Sequence, residues 1–428
     1  MDDYQAFETL AIHAGEEADP ESGALRGPIQ MTTTFQLPGF GSKLFDALFM
    51  ADPDSPYVYT RWNNPTLRSL EKRLAALEEA EECAVFASGV GAISALALTL
   101  LSAGDHLVSS DVCYAGALEL FGVHLPRFGI EVSLVDSSDP EQVRAALRDN
   151  TRLIYIETPA NPVLKLTDIP AVSQVARAAG VPLAVDSTFA SPVLQKPLTL
   201  GADYVIHSLT KYINGHGDAL GGMIAGSKDA VHRIRKEMLV HLGSALSPFN
   251  AWLINRGINT LALRVKQQSA SALQVARYLE SHPAVSRVVY PGLESHPQHN
   301  LAREQMEGFG GMIAFQLKAG LEGAINLAEN IKLFQYATSL GHAHSLLFYY
   351  PSDLYVDAVP YYSEEQKRAI RDWAGEGVFR TSIGLENPDD LIQDLDQALS
   401  AKSVKGKIAP MIYSLLKKYA EMKERPPR

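Results

Sequence analysis

The stretch ADYVIHSLTKYINGHGDALGG, residues 202–222, sets an apolar, β-branched run directly against two hydroxyls, one lysine and several glycines. DYVIHS (203–208) has the length and two-sided apolarity of a buried strand. The same texture recurs on either side of it. ALGGMIAG (219–226), PLAVDSTF (182–189), RLIYIETP (152–159), HLVSS (106–110) and AVFA (84–87) are short continuous apolar runs. Helical segments separate them. One opens at Asn64-Pro65-Thr66 and repeats Leu67, Leu70, Leu74 and Leu77; a second runs through Ile93, Leu96, Leu98 and Leu100; PAVSQVARAAG (170–180) is a third. Short buried strands alternating with helices predict a largely parallel sheet covered on both faces.

The chain divides on this reading into three parts. Residues 1–62, rich in Gly, Pro, Thr and aromatics, form an N-terminal arm, with GPIQMTTTFQLPGF extended; an arm without a core of its own packs on another subunit or domain. Residues 63–260 form the large α/β domain. Residues 261–428 form a smaller α+β domain, entered through the helix QQSASALQVARYLESHP and closed by an amphipathic helical tail, KIAPMIYSLLKKYAEMKERPPR.

Over 428 residues the formal net charge is −11, which argues against nucleic acid as a partner. Cys83 and Cys113 sit in apolar surroundings and read as small buried side chains. There is no CxxC or HExxH spacing, and no metal is expected. The acidic N-terminus carries no apolar signal segment, and no run is long enough to span a membrane, so a cytoplasmic location is the expectation.

In open α/β sheets ligands bind at the carboxyl ends of the strands, and that is where the polar residues stand. Asp186 ends LAVD, Lys211 follows YVIHS, Ser88-Gly89 follow AVFA, and Tyr114 follows HLVSSDVC. A glycine and helix N-terminal amides make an anion cradle. The site therefore calls for a phosphate, a ring cation facing Asp186, and a group that reacts with an amine. Pyridoxal 5′-phosphate (PLP) meets all three demands: an aldehyde for Lys211, a ring nitrogen for the carboxylate, and a phosphate for the cradle and for Ser208 and Thr210.

The chain resembles the Cys/Met-metabolism family of PLP enzymes over residues 7–400. The pieces that carry the resemblance are YTRWNNPT, ASGVGAI, ETPANP, AVDSTFASP, HSLTKYINGHGD, LSPFNAWLINRGINTLALR, TSLG and FRTSIGLE, in family order. The resemblance implies an aspartate-aminotransferase-like fold of type I, with a homo-oligomer, a dimer of dimers, sharing its active sites between subunits. It implies Lys211 as Schiff-base lysine and proton shuttle, and Asp186 with Thr188 at the ring nitrogen. Gly89 and Val90 would donate backbone N–H groups to the phosphate, aided by Ser208 and Thr210. Tyr114 would stack on the ring and assist the leaving group, and Asn161 would reach the ring hydroxyl. Tyr59 and Arg61 would reach a neighbouring subunit's phosphate, and Ser339 and Arg380 would hold the carboxylate of an amino-acid substrate. His207 is read as structural, and His13, His216 and His241 as structural or surface residues.

The implied chemistry is elimination at Cγ of a γ-substituted L-amino acid, or replacement at Cγ as in cystathionine γ-synthases and homoserine-ester sulfhydrylases; a PLP-binding protein without turnover is a third, inert reading. The chain departs from the family after SLG, where HAHSLLFYYPSDLYVDAVPYYSEEQK brings Tyr350-Pro351, Asp353, Tyr355, Asp357, Tyr361 and Tyr362. After Tyr114 stand Ala115-Gly116, where methionine γ-lyases carry a cysteine, and Leu239-Val240-His241 stand where they carry a Lys-Asp pair. The altered loop is either surface drift or a reshaped pocket. A reshaped pocket of acidic and aromatic groups suits a polar or cationic leaving group such as that of canavanine.

Overall fold

A computed structural model describes residues 5–37, 55–357 and 362–401. Seven strands form the large sheet: β1 (Glu82–Phe86), β2 (His106–Ser110), β3 (Glu131–Val135), β4 (Thr151–Glu157), β5 (Leu183–Asp186), β6 (Tyr204–His207) and β7 (Gly222–Gly226), in the spatial order β1-β7-β6-β5-β4-β2-β3. The pairs β3/β2, β2/β4, β4/β5 and β5/β6 are parallel, and β7 runs antiparallel to both its neighbours. The mostly parallel sheet expected from the apolar runs is present. β4 shows why its strands read as continuous apolar runs: Leu153 and Tyr155 enter one core and Ile154 and Ile156 another, all essentially inaccessible.

β3 has no counterpart among the expected strands. It is the edge strand, and its residues are only half-buried or exposed, so GIEVSLVD carries little apolar signal.

The helix expected at Asn64 spans Pro65–Glu78. Its cap is the Asn64 side chain, which accepts the Thr66 N–H at 2.9 Å. The beginning of the arm is not free of its own chain. A short helix, Phe7–His13, buries Ala11 against the Pro65–Glu78 helix, and the buried Arg73 guanidinium donates to the carbonyls of Ala14 (3.0 Å) and Ile12 (3.2 Å). Arg73 thereby satisfies the carbonyls at the end of that helix.

The second sheet has the order β10 (Gln335–Tyr336), β11 (Leu346–Pro351), β12 (Gly377–Ser382), β9 (Met312–Leu317), β8 (Val285–Val289). A helix at Leu261–Ser281 joins the two cores: Leu261 and Val265 pack in the first, and Ala272 through Leu279 in the second. We place the division between the two domains at residues 260/261, where this helix begins. The helical tail expected after residue 401 lies outside the described residues. No described helix is long and apolar enough to cross a membrane.

Candidate active site

The strands of the large sheet deliver their polar ends to one edge. β1 ends at Phe86, and Ser88 then caps the helix Gly89–Leu100, its hydroxyl accepting the Gly91 N–H at 3.0 Å and its carbonyl the Ala92 N–H at 3.0 Å. The N–H groups of Gly89 and Val90 are left without an acceptor among the described residues, as the first turn of a helix leaves them. A Cβ on Gly89 would lie 2.9 Å from the Ser208 Cβ and 3.1 Å from its Oγ. Glycine is thus the side chain that admits Ser208 to the helix terminus. Two amides and a hydroxyl converge there.

The Thr210 hydroxyl is engaged beside the cradle with Gly221, whose neighbour Gly222 packs on Ser88 and Gly89. It donates to the Gly221 carbonyl at 3.2 Å and accepts the Gly221 N–H at 3.1 Å, bracing the loop behind Lys211.

Two buried carboxylates end adjacent strands. Asp186 Oδ1 accepts the Thr188 N–H (3.0 Å) and hydroxyl (2.6 Å), and Oδ2 accepts the Tyr155 hydroxyl at 3.2 Å. The Thr188 hydroxyl also accepts the Ser208 N–H at 2.9 Å, tying the Asp186 turn to the lysine loop. Glu157 accepts the N–H of Tyr114 at 2.8 Å and of Asn161 at 2.7 Å. Burial pushes both carboxyls up, Glu157 further, because Asp186 faces it. Two carboxylates in so dry a place invite a cation between them and the cleft.

Lys211 and Arg380 complete the set. Lys211 Nζ donates to Ser339 Oγ at 2.9 Å, and burial, with the Arg380 charge nearby, lowers its pKa from 10.5 to about 8. Arg380 on β12 is buried. It donates to Asn161 Oδ1 (2.8 Å) and to the Ser339 carbonyl (2.9 Å), stacks over the Tyr350 ring at 5.1 Å, and keeps a buried Nε without an acceptor among the described residues. Such an N–H is placed for a ligand's oxygen. Ser339 holds its position with φ +79°, a conformation rare outside glycine.

Tyr114, nearly half exposed, lays its ring over Gly116: a Cβ there would fall 2.5 Å from its Cε1. Tyr59 and Arg61 are not in the cluster. Arg61 covers the Tyr59 ring at 5.5 Å and donates to the carbonyls of Leu239 (3.2 Å) and Val240 of its own chain.

Three contacts were not anticipated from the sequence. Glu157 lies within the quoted ETPANP but received no role. Tyr350 was noted as a departure, not as the ring under Arg380. His342 accompanies Ser339 at 3.2 Å. Of the altered loop's acids, Asp353 is paired with Arg371 at 3.1 Å, and the Tyr362 hydroxyl donates to the Asp111 carbonyl. Tyr361 and the side chains of Tyr355 and Asp357 lie outside the described residues. His207, read as structural, is buried against Glu78 at 2.6 Å.

The chain is similar to known proteins over most of its length. The model of the Cys/Met metabolism PLP-dependent enzyme family matches residues 8–400. A canavanine gamma-lyase of Rhizobium leguminosarum bv. trifolii is 46% identical over 399 residues, covering 92% of this chain and 96% of that one. An L-methionine gamma-lyase of Treponema denticola is 43% identical over 399 residues, with the same 92% and 96% coverage. The solved structure of cystathionine gamma-lyase from Lactobacillus plantarum, complexed with L-serine, superposes with a TM-score of 0.83 at 36% identity, covering 92% of this chain and 98% of that one.

Proposed function

Because the chain belongs to the Cys/Met metabolism PLP-dependent enzyme family, we propose that it eliminates the γ-substituent of an L-amino acid, and that the leaving group is polar or cationic, as in canavanine. The observation that carries the reading is the Lys211 amine. It is half-buried, burial and the nearby Arg380 charge bring its pKa to about 8, and Ser339 Oγ is its sole partner among the described residues.

The residues fit PLP. The Gly89 cradle is closed to a Cβ, two amides there have no acceptor among the described residues, and burial pushes both strand-end carboxyls up. When bound, PLP supplies an aldehyde that condenses with amines and a ring that takes up the electrons of a broken C–H bond. Lys211 would hold it at the aldehyde, Asp186 and Thr188 at the ring nitrogen, Asn161 at the ring hydroxyl, and Tyr114 over the ring face. Gly89, Val90 and Ser208 would hold the phosphate, with Thr210 shaping the loop that presents Lys211. Tyr59 and Arg61 of a second copy would complete the phosphate site. That arrangement requires a homo-oligomer, for which we infer a dimer of dimers; the exposed Leu220, Leu242, Phe249 and Leu263 offer apolar surface for it.

Arg380 and Ser339 then take the substrate carboxylate. The freed Lys211 amine removes the Cα proton and afterwards a Cβ proton, and Tyr114 gives a proton to the departing group. The Tyr114 ring, with the Tyr350 hydroxyl near enough to be influenced by its charge, would offer an aromatic surface to a guanidine-like group. Gly116 leaves Tyr114 room that a larger residue would fill.

A substrate panel on PLP-loaded protein tests this. Canavanine, methionine, cystathionine, cysteine, O-acetylhomoserine and O-succinylhomoserine are each incubated with and without a thiol, and products are read by mass. The expected result is a four-carbon product and a free leaving group from canavanine without thiol, at a kcat/KM at least about tenfold above methionine, one well-placed contact's worth. Turnover restricted to esters plus thiol would make the protein a γ-replacement enzyme.

A further inference from the structure

Tyr114 and Asn161 follow different strands, yet one side chain holds both. Tyr114 lies beyond the end of β2 and Asn161 beyond the end of β4. Glu157, the last residue of β4, is buried. Its Oε2 accepts the Tyr114 N–H at 2.8 Å and its Oε1 the Asn161 N–H at 2.7 Å. Neither N–H has another acceptor among the described residues. Each tie extends to a further part of the site. The Tyr114 carbonyl accepts the Ala117 and Leu118 N–H groups at 2.8 and 3.1 Å, so Tyr114 opens the helix Ala115–Glu119. Asn161 Oδ1 accepts an Arg380 N–H at 2.8 Å, so the guanidinium fork is braced through the same residue.

Burying an acid costs more than burying an amide, and the number of acceptors explains the choice. An ionised carboxylate offers two accepting oxygens and no donor, one oxygen for each N–H. A glutamine offers one oxygen, and its NH₂ would meet the second N–H. Burial and Asp186 oppose the ionised form, while the two N–H groups and Arg380 favour it. Resting on the PLP-site reading, we propose that Glu157 is a positioning residue whose two oxygens fix the Tyr114 ring and the Asn161 side chain relative to each other. One rigid pair then meets the ring face and the ring hydroxyl of PLP together, whether the γ-substituent is eliminated or replaced. Glu157 acts through those two residues and moves no proton.

Glu157→Gln tests this, because it keeps the volume and one acceptor and turns the other into a donor. In PLP-loaded protein the expected result is a kcat/KM about 10- to 100-fold below the parent, the cost of a shift on the order of 1 Å. The visible circular dichroism of bound PLP should weaken with it, since the ring loses its fixed walls. Glu157→Gln is then added to Tyr114→Phe and to Asn161→Ala. Acting through those side chains, it costs less in each background than in the parent. Full additivity in either background overturns the positioning role, as does a variant whose dichroism and kcat/KM equal the parent's.

Amide exchange in the parent without cofactor needs no variant. Read residue by residue by mass, the Tyr114 and Asn161 N–H groups should exchange at least about tenfold more slowly than those of Gly89 and Val90, one hydrogen bond's worth. The latter two have no acceptor among the described residues. Exchange as fast as at Gly89 and Val90 overturns the role. A parent that takes up PLP without visible dichroism overturns the PLP site and this role together. A parent that shows it, with Glu157→Gln equal to it, overturns this role alone.

Discussion

Lys211→Ala abolishes turnover, with a fall of at least about 10³- to 10⁴-fold in kcat, because one side chain both holds the cofactor and moves two protons. Its thermal midpoint stays within a few degrees of the parent, since the amine's one partner among the described residues is a hydroxyl. Borohydride fixes the cofactor to the parent, on the peptide containing Lys211, and not to the variant. The parent's pH profile follows from the same side chain. A base works in its neutral form, so activity rises as pH rises through about 8, where burial and Arg380 have brought the amine. At neutral pH this raises the neutral share about 300-fold over an amine at 10.5. Turnover in Lys211→Ala within tenfold of the parent would remove Lys211 from the chemistry.

Arg380→Ala lowers kcat/KM about 10²- to 10³-fold for every amino-acid substrate, the loss of a two-pronged, charge-assisted grip on a carboxylate. Arg380→Lys recovers only part, because an ammonium cannot reach Asn161 Oδ1, the Ser339 carbonyl and a ligand at once in the fixed fork now seen. One buried and one half-buried acceptor lose their donor in Arg380→Ala, which costs about 1–3 kcal/mol of stability, so the kinetic effect is read at a temperature where both proteins are folded. Removing the Arg380 charge also lets the Lys211 midpoint rise, and the pH profile should shift to the alkaline side. A carboxylate held elsewhere would leave kcat/KM within threefold of the parent.

Much of the fold was legible because its signal is local. β4, β5 and β6 are buried on both faces and read as apolar runs ending in Glu157, Asp186 and His207; β3, half-exposed at the sheet edge, does not. Position at strand ends was enough to single out Asp186 and Lys211. Arg380 and Ser339 needed the family resemblance, since each has a site partner over a hundred residues away in the chain, Arg380 meeting Asn161 at a separation of 219 and Ser339 meeting Lys211 at 128. Glu157 and His342 were missed for a related reason. Glu157 accepts two backbone N–H groups, and His342 touches a hydroxyl three residues away on a left-handed turn, and neither pattern leaves a periodic trace. The altered loop was noticed by its departure from family spelling. That spelling did not show that Asp353 is spent on Arg371 while Tyr350 lies under Arg380.

The central claim, elimination through loss of a Cβ proton, is tested most directly by one incubation: PLP-loaded protein with canavanine in D₂O, no thiol present, the products read by NMR and mass. The account predicts a four-carbon product, 2-oxobutanoate with ammonia or homoserine, carrying deuterium at the former Cβ beyond that of an enzyme-free control, together with the guanidine-bearing leaving group. A four-carbon product with Cβ unlabelled, a three-carbon product, or product only after a thiol is added would contradict it.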